Sequence, residues 1–317
     1  MQANDSAFML EVQNLHKKFG EVHAVKNLNF HIKKGEVFGF LGPNGAGKTT
    51  TMRIITCFIP PTNGTVLVDG TDTSQNNLQV RKKIGYLPEN TPLYPDMTVK
   101  EYLNFVGEIR GLKAGVLKRR IDEMFTICNI SQMSGRQIGK LSKGYRQRVG
   151  LAQAMMHDPD LLILDEPMSG LDPNQIVEIR NLIRRIGKEK TVIYCSHILS
   201  EVSATCDRLL IINEGSIVAT GTPDELTHGS EGGSRYMLKI KGEKETIRST
   251  MSQLPNINTV SFDASDGEWN NVEVQGSNKE EIGEELFKCV VDNGWSLAEL
   301  RKESASLEEV FTQLTRG

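Results

Sequence analysis

One short segment constrains this chain more than any other: residues 42–49, reading GPNGAGKT, match the pattern G-x-x-x-x-G-K-[ST]. An apolar strand is predicted directly before it, at residues 36–41, and a helix directly after it, at residues 48–55. Glycines let the backbone wrap so that successive N–H groups converge on phosphate oxygens, and the positive end of the following helix faces the same anion. We expect Lys48 to bridge the β- and γ-phosphates of a nucleotide and the Thr49 hydroxyl to ligate Mg²⁺. The candidate phosphate-binding residues are Gly42, Pro43, Asn44, Gly45, Ala46, Gly47, Lys48, Thr49 and Thr50.

A pair of acidic residues follows a second buried strand. The apolar run at residues 161–164 ends in Asp165 and Glu166, at the carboxyl edge where ligands collect in open α/β sheets. Asp165 is predicted to hold Mg²⁺, mainly through water, opposite Thr49. Glu166 projects differently and is predicted to polarise a water molecule for in-line attack.

Composition narrows the class of protein further. A length of 317 residues favours about two domains, and 38% hydrophobic with 24% charged residues argues against wholesale disorder. The net charge of −3 gives no basic excess, so no nucleic-acid partner is expected. No apolar run approaches the roughly 18 residues of a membrane-spanning helix, and the polar start has no signal-peptide core. Five scattered cysteines, none in a CxxC pair, predict neither a zinc site nor a disulfide framework and favour a reducing cytosol.

The order of predicted elements suggests two domains. Residues 1–226 alternate short strands with helices, the pattern of a largely parallel sheet covered by helices, and about residues 89–156 form a mostly helical stretch. Residues 227–235 are rich in glycine and serine and are predicted to be a linker. Residues 236–317 are predicted as strand, helix, two strands, helix and strand with a terminal helix, which suggests a small ferredoxin-like α+β domain.

Four further segments complete a pattern that resembles the ATP-binding subunit of an ABC transporter over about residues 8–226. Residues 141–145, reading LSKGY, resemble the family signature LSGGQ and precede Asp165 and Glu166 at the usual distance. Residues 169–172, reading SGLD, resemble the D-loop, and His197 resembles the switch histidine. Phe19 occupies the position of the aromatic residue that stacks on adenine. The resemblance implies the P-loop NTPase fold of ABC ATPases, with residues 89–156 as the helical subdomain.

The resemblance also implies a head-to-tail homodimer that sandwiches two ATP molecules. Each ATP would contact the phosphate loop of one copy and Ser142, Lys143 and Gly144 of the other, with Asp172 organising the contact. Ser142 is expected to cap the helix that starts at Lys143, which directs a hydroxyl, an N–H group and a helix dipole at a γ-phosphate. The implied catalytic residues are Glu166 as general base and His197 as the contact to the γ-phosphate.

Three positions depart from the family pattern. Glu89 stands where most members have glutamine, so it can ligate Mg²⁺ but cannot donate an amide hydrogen bond. Lys143 and Tyr145 replace the glycine and glutamine of the signature. Lys143 adds positive charge where the partner's phosphate would lie, and Tyr145 removes the usual glutamine contact.

The family works with a membrane chain, so the resemblance implies a separate permease and a place on the cytoplasmic face of the inner membrane. A coupling helix of that permease would enter a groove that involves residues 89–98, where the apolar turn at residues 94–97 is either a docking surface or simply the lead-in to a capped helix. The C-terminal extension favours an exporter branch of the family. Its role stays open between regulating activity, strengthening the dimer and capping the ATPase domain.

Two alternatives remain from the sequence. One is a soluble ABC-type ATPase that acts on ribosomes or DNA. It is disfavoured because the chain has one phosphate loop and residues 50–140 are too short for a long coiled coil. The other is a P-loop kinase, which leaves Ser142 and His197 unexplained.

Overall fold

The computed structural model describes residues 7–229, 235–263, 267–276, 282–303 and 307–315. The chain divides into two compact units, with boundaries between Pro223 and Asp224 and between Gln313 and Leu314. Within the described ranges, none of the helices combines the length and the apolar character that crossing a bilayer requires.

The first unit contains two sheets and a set of helices. Its strands are β1 (Phe8–Phe19), β2 (Val22–Lys33), β3 (Val37–Leu41), β4 (Asn63–Val68), β5 (Thr71–Asp72), β6 (Ile84–Leu87), β7 (Leu161–Asp165), β8 (Thr191–Ser196), β9 (Arg208–Asn213) and β10 (Ser216–Gly221). Its helices are α1 (Lys48–Ile55), α2 (Asn77–Lys83), α3 (Val99–Ile109), α4 (Ala114–Ile127), α5 (Lys143–Met155), α6 (Pro173–Gly187) and α7 (Leu199–Ser203). A further helix, α8 (Pro223–Gly229), begins at the boundary between the units.

The larger sheet has the strand order β10-β9-β3-β8-β7-β6, in which every neighbouring pair is parallel except β9 and β10. All residues of β3, β7 and β8 are buried, which explains why these strands appear in the sequence as continuous apolar runs. In register, Leu41 lies beside Ser196, and Asp165 lies beside Cys195. The phosphate loop, the acidic pair and His197 therefore leave the sheet at one edge.

The smaller sheet is antiparallel, with the order β2-β1-β4-β5. The sequence predicts strands at residues 8–12 and 28–32, whereas β1 and β2 each have 12 residues. The added residues are largely polar or charged, which an antiparallel hairpin with an exposed face accommodates. One apolar core joins both sheets and α1, through residues that include Leu10, Phe38 and Met52.

The helical stretch is built from α3, α4 and α5, with two single-turn 3₁₀ segments at Ser131–Met133 and Ile138–Lys140. A capping box begins α3, as the residue pattern TVKE at positions 98–101 predicts. The Thr98 hydroxyl accepts from the Glu101 N–H, and the Glu101 carboxylate accepts from the Thr98 N–H at 2.8 Å.

The second unit has the element order that the sequence predicts, two strand–helix–strand halves in succession. Its elements are β11 (Arg235–Lys241), α9 (Lys244–Met251), β12 (Ile257–Phe262), β13 (Asn270–Gly276), α10 (Gly283–Asp292), β14 (Ser296–Glu303) and α11 (Leu307–Thr315). The sheet order is β12-β13-β11-β14 with antiparallel neighbours throughout. The helices α9 and α10 each connect two strands that have one strand between them, as in a split βαβ arrangement, whereas α11 follows the last strand and runs past the unit boundary at Gln313.

The predicted linker differs from the structure at both of its ends. Residues 227–229 belong to α8, and Arg235 begins β11. Residues 230–234 lie outside the described residues, as do residues 279–281 and Ser306, where two of the predicted helices begin.

Candidate functional site

The loop between β3 and α1 turns back on itself at its glycines. Gly47 has φ 107° and Gly45 φ 81°, in the left-handed region where side chains are strained. A Cβ on Gly47 would lie 2.6 Å from the Ala24 carbonyl oxygen, and one on Gly42 would lie 2.3 Å from the Ile212 carbonyl oxygen. Glycine is therefore required by backbone conformation at positions 45 and 47 and by close neighbours at positions 42 and 47. The N-terminus of α1 opens into the concave side of this loop.

Lys48 is held inside the loop and is only 6% exposed. Its Nζ donates to the Gly42 carbonyl at 2.7 Å and to the Pro43 carbonyl at 3.2 Å, and it lies 3.7 Å from Glu166 Oε1. An ammonium fixed this way presents positive charge to an anion at the mouth of the loop.

Asp165 lies beneath the loop and is 1% exposed. Its Oδ1 has no hydrogen-bond partner among the described residues, and the Tyr86 hydroxyl donates to Oδ2 at 3.5 Å. Burial raises the pKa of Asp165, and the charges of Glu166 and Glu89 raise it further, against the lowering effects of the Thr49 hydroxyl and of Lys48. Carboxylates crowded in this way around a buried, unpaired oxygen form a site where a cation would relieve their repulsion.

Glu166 has an unusual backbone conformation, with φ 51°. Its N–H donates to the Cys195 carbonyl at 2.9 Å, which ties this strained turn to β8. The Nδ1 atom of His197 lies 3.0 Å from each carboxylate oxygen of Glu166. A carboxylate held in this way at the wall of a cavity is able to accept a proton from a water molecule.

These groups surround a cavity of about 390 Å³ at the carboxyl edge of the parallel sheet. Its walls are formed by Ala24, Pro43, Asn44, Gly45, Gly47, Lys48, Thr49, Thr50, Glu89, Glu166, Ser169 and His197. Sequence reasoning missed Ala24, Ser169 and the Tyr86 contact with Asp165. Ser169 belongs to the SGLD segment, which could have indicated it. No local pattern marks Ala24, because it comes from a strand of the other sheet.

Some of the described residues with a predicted role in the site do not line this cavity. They are Phe19, Gly42, Ala46, Ser142, Lys143, Gly144, Asp165 and Asp172. Gly42, Ala46 and Asp165 are buried behind the wall, whereas Phe19, Ser142, Lys143 and Asp172 are exposed. Phe19 ends β1, and the Lys17 ammonium lies 5.0 Å from the centre of its ring.

The signature segment and the SGLD segment lie against each other at the N-termini of two helices. The Ser142 hydroxyl caps α5 by accepting from the Tyr145 N–H at 3.4 Å, and Asp172 caps α6 by accepting from the Gln175 N–H at 2.9 Å. A Cβ on Gly144 would lie 2.7 Å from Gln175 Oε1, so glycine allows this close approach. Two helix N-termini thus form one exposed surface with positive dipole ends.

The parallel sheet, the glycine-rich loop with its buried lysine, and the acidic pair on the strand two places away define a P-loop nucleoside triphosphatase. Comparison with known proteins gives the family. The family model described as ABC transporter matches residues 25–169. The chain is 32% identical over 308 residues to the linearmycin resistance ATP-binding protein LnrL of Bacillus subtilis, covering 97% of this chain and 98% of the relative. It is likewise 32% identical over 311 residues to the bacitracin transport ATP-binding protein BcrA of Bacillus licheniformis, covering 98% of each.

A solved structure agrees with this result. The ATP-binding cassette MJ0796, in a dimeric post-hydrolysis state bound to ADP and Pi, superimposes with a TM-score of 0.61 at 26% identity, covering 68% of this chain and 98% of that one. The chain belongs to the ATP-binding subunits of ABC transporters and is an ATP-hydrolysing enzyme.

Proposed function

We propose that this chain powers an exporter: two copies bind and hydrolyse ATP between them and move a separate transmembrane permease from the cytoplasmic face of the inner membrane. Two relatives that match almost the whole chain are named for linearmycin resistance and bacitracin transport, which supports export of a toxic compound. The observation that carries the enzymatic part is the cavity in which Lys48, Glu166 and His197 meet. The alternative of action on ribosomes or DNA has no such support from these relatives.

Nucleotide binding starts from the phosphate loop. The β- and γ-phosphates would lie against the loop N–H groups and Lys48, whose charge meets phosphate before any reaction occurs. Phe19, exposed at the end of β1, would stack on the adenine ring. The cavity of about 390 Å³ would hold the phosphate end of the molecule.

The residues around Asp165 fit a magnesium ion. The unpaired Oδ1 of Asp165, the Thr49 hydroxyl and the Glu89 carboxylate are oxygen donors of the kind Mg²⁺ prefers. No group of three histidine, cysteine or acidic side chains within the described part of the chain could hold a metal alone, and Mg²⁺ usually completes its shell with substrate phosphates and water. Bound there, the ion would neutralise charge that develops on the phosphates.

Hydrolysis requires an in-line water at the γ-phosphate. Glu166 accepts a proton from this water as its oxygen bonds to phosphorus, and the bond from phosphorus to the bridging oxygen breaks to release ADP. The Nδ1 atom of His197 lies 3.0 Å from both oxygens of the Glu166 carboxylate, which holds that carboxylate in place, and His197 would contact the γ-phosphate.

The second half of the site would come from another copy. Ser142 and Lys143 are exposed and lie outside the cavity, so they are available to the γ-phosphate of a partner's nucleotide. The N–H groups at the start of α5 would face that phosphate and Asp172 would organise the contact, while Gly144 lets α5 pack closely against Gln175 of the same copy. Lys143 would add an attractive positive charge at this phosphate, whereas Tyr145 cannot make the contact that the family's usual glutamine makes.

The permease would dock beside the helical stretch, in a groove that involves residues 89–98. Tyr94 is exposed there and packs edge-on against Tyr102 and Phe105 at ring-centre distances of 5.9 and 5.6 Å. Tyr102 and Phe105 belong to α3. A movement of the turn that carries Tyr94 would therefore be transmitted to this helix. The α5 helix of the same stretch carries the signature, which supports coupling between docking and dimer closure.

The first experiment compares Glu166→Gln with the wild type in purified form. The amide keeps the shape of the side chain but not its basicity, so hydrolysis should fall by about a hundredfold or more while ATP affinity is retained. Near-normal turnover would rule out Glu166 as the base.

The transport part of the proposal is tested by purifying the tagged chain from detergent-solubilised membranes. A multi-spanning membrane protein should co-purify with it in a constant ratio. Recovery of ribosomes or DNA in place of such a protein would contradict the exporter assignment.

A further inference from the structure

A second buried carboxylate lies behind the proposed general base. Glu201, in α7, is 6% exposed, and two hydroxyl groups donate to its Oε2 atom. The Tyr194 hydroxyl does so at 2.7 Å and the Ser196 hydroxyl at 3.0 Å. Burial, and then the neighbouring charge of Glu201, raise the pKa of Tyr194, so this tyrosine keeps its proton as a donor.

Ser196 stands between the two carboxylates. Its Oγ lies 3.0 Å from Glu201 Oε2 and 3.4 Å from Glu166 Oε2, and it accepts from the Ile198 N–H at 3.1 Å. A serine hydroxyl has a single proton, so it can donate fully to only one of the two carboxylates. The shorter distance makes Glu201 the preferred acceptor of this proton.

The direction of this proton matters for catalysis. A hydrogen bond donated to a carboxylate stabilises its charged form and makes it a poorer acceptor for a further proton. Glu166 already faces Lys48 at 3.7 Å and His197 at 3.0 Å, and Asp165 precedes it in the chain. One more donor from the buried side would oppose proton transfer from the attacking water.

We propose that Glu201 is a positioning residue that draws the Ser196 proton away from Glu166 and so leaves that carboxylate free to accept a proton from water. The inference rests on the proposed function, in which Glu166 is the general base. Glu201 acts only through Ser196 and contacts no reacting atom.

The test is a double-substitution experiment on the full chain. Glu201→Met keeps the length of the side chain without an acceptor, so Ser196 turns its proton to Glu166 and kcat should fall about tenfold, with KM for ATP unchanged. Ser196→Ala has no proton to donate and should keep kcat within about twofold of the wild type. The combined variant should recover to about the Ser196→Ala level, because the harmful donor is gone.

A matched control comes from the same segment. The Thr205 hydroxyl, also 6% exposed, donates to the backbone carbonyl of Glu201 at 2.6 Å and leaves the carboxylate alone. Thr205→Val should lower thermal stability without changing kcat. A loss of kcat in this control as large as in Glu201→Met would show a merely structural role and overturn the inference.

Two other results would also overturn it: wild-type kcat in Glu201→Met, or losses that simply add in the combined variant. If Glu201→Met does not fold, Glu201→Gln replaces it, since its neutral amide oxygen is a weaker acceptor. Its kcat loss should be smaller, about threefold, and should again be reversed by Ser196→Ala.

Glu166→Gln separates this inference from the proposed function. If Glu166→Gln is inactive while the Glu201 variants behave like the wild type, only the inference fails. If Glu166→Gln is fully active, the assigned base itself fails.

Discussion

The phosphate-loop side of the site and the signature side differ in how far one copy of the chain completes them. Lys48 and Glu166 are buried, and each has partners within its own copy. Ser142 and Lys143 are exposed at the start of α5, outside the cavity. Folding of one copy therefore completes the phosphate-loop side, which holds the nucleotide. The signature side is an exposed surface that one copy leaves without a ligand of its own. ATP would then be the link between two copies, which makes its hydrolysis a way to separate them.

The largest expected effect is on the prepared side. Lys48→Ala removes the charge that meets phosphate in the ground state, so ATP affinity should fall by about a hundredfold or more. Titration calorimetry measures this directly. Lys190→Ala is a suitable control, since Lys190 pairs with Asp158 at 2.8 Å and does not line the cavity. Unchanged ATP affinity in Lys48→Ala would rule out the phosphate loop as the site where the phosphates of ATP bind.

A substitution on the exposed side should leave binding intact and disrupt hydrolysis. Ser142→Arg places a long side chain at the cap of α5, where a partner's γ-phosphate would lie, so turnover should fall by about thirtyfold or more. ATP affinity of the isolated chain should stay within about twofold, because Ser142 lies outside the cavity. A parallel loss of affinity and turnover would break the distinction between the two sides.

Lys143 gives a finer test of the same distinction. Its ammonium lies so close to Gly170 that a Cβ there would be 2.3 Å from Nζ, which keeps the charge near the exposed surface formed by the N-termini of α5 and α6. Lys143→Ala should weaken ATP-dependent dimerisation by about three- to fivefold. The effect should shrink as salt concentration rises, since the charge is exposed. Lys143→Arg serves as the control that keeps the charge, and equal weakening in both variants would assign Lys143 a steric role instead.

The smallest effect is on stability, near the end of the signature helix. His157 follows α5 and donates from Nε2 to the Ile84 carbonyl of β6 at 3.0 Å. Burial lowers the pKa of His157 to about 4, so the folded protein keeps it neutral while the unfolded chain protonates it below its ordinary value of 6.5. Its contribution to the free energy of unfolding is therefore complete above pH 6.5 and is lost as the pH falls towards 4.

Because the His157 ring is partly exposed, we expect a loss of about 2 kcal/mol over that range. Urea unfolding at pH 7 and pH 4 measures it. His157→Gln, which keeps a donor for the same carbonyl, should lose less stability over this interval than the wild type. An equal loss in both proteins would contradict the assignment, and hydrolysis at pH 7 should be unaffected in either case.

The sequence predicted the site best where chemistry is local. The glycines of the phosphate loop and the acidic pair after β7 are recognisable because the backbone turn and the strand end each lie within a few residues. Ala24 and Tyr86 escaped prediction because each reaches the site from another strand, and nothing in its own neighbourhood marks that contact. The link from Glu166 through Ser196 to Glu201 escaped for the same reason, since it depends on how β7 and α7 sit about β8.

The fold shows a similar limit. Buried strands such as β3 and β7 were recognisable from their apolar runs, whereas β1 and β2 extend well beyond their apolar residues through antiparallel pairing. The short helix α2 was missed because only Val80 among its residues is buried. Residues 227–229 were assigned to a linker on composition, although they complete α8.

The central claim is that ATP joins two copies through the phosphate loop of one and the signature of the other. The most direct measurement is the mass of Glu166→Gln in sedimentation experiments, with and without ATP and Mg²⁺, alone and combined with Ser142→Arg. We predict a dimer for Glu166→Gln only when ATP is present, and a monomer that still binds ATP for the combined variant. A combined variant that dimerises as well as Glu166→Gln, or a Glu166→Gln protein that stays monomeric when saturated with ATP, would contradict the account.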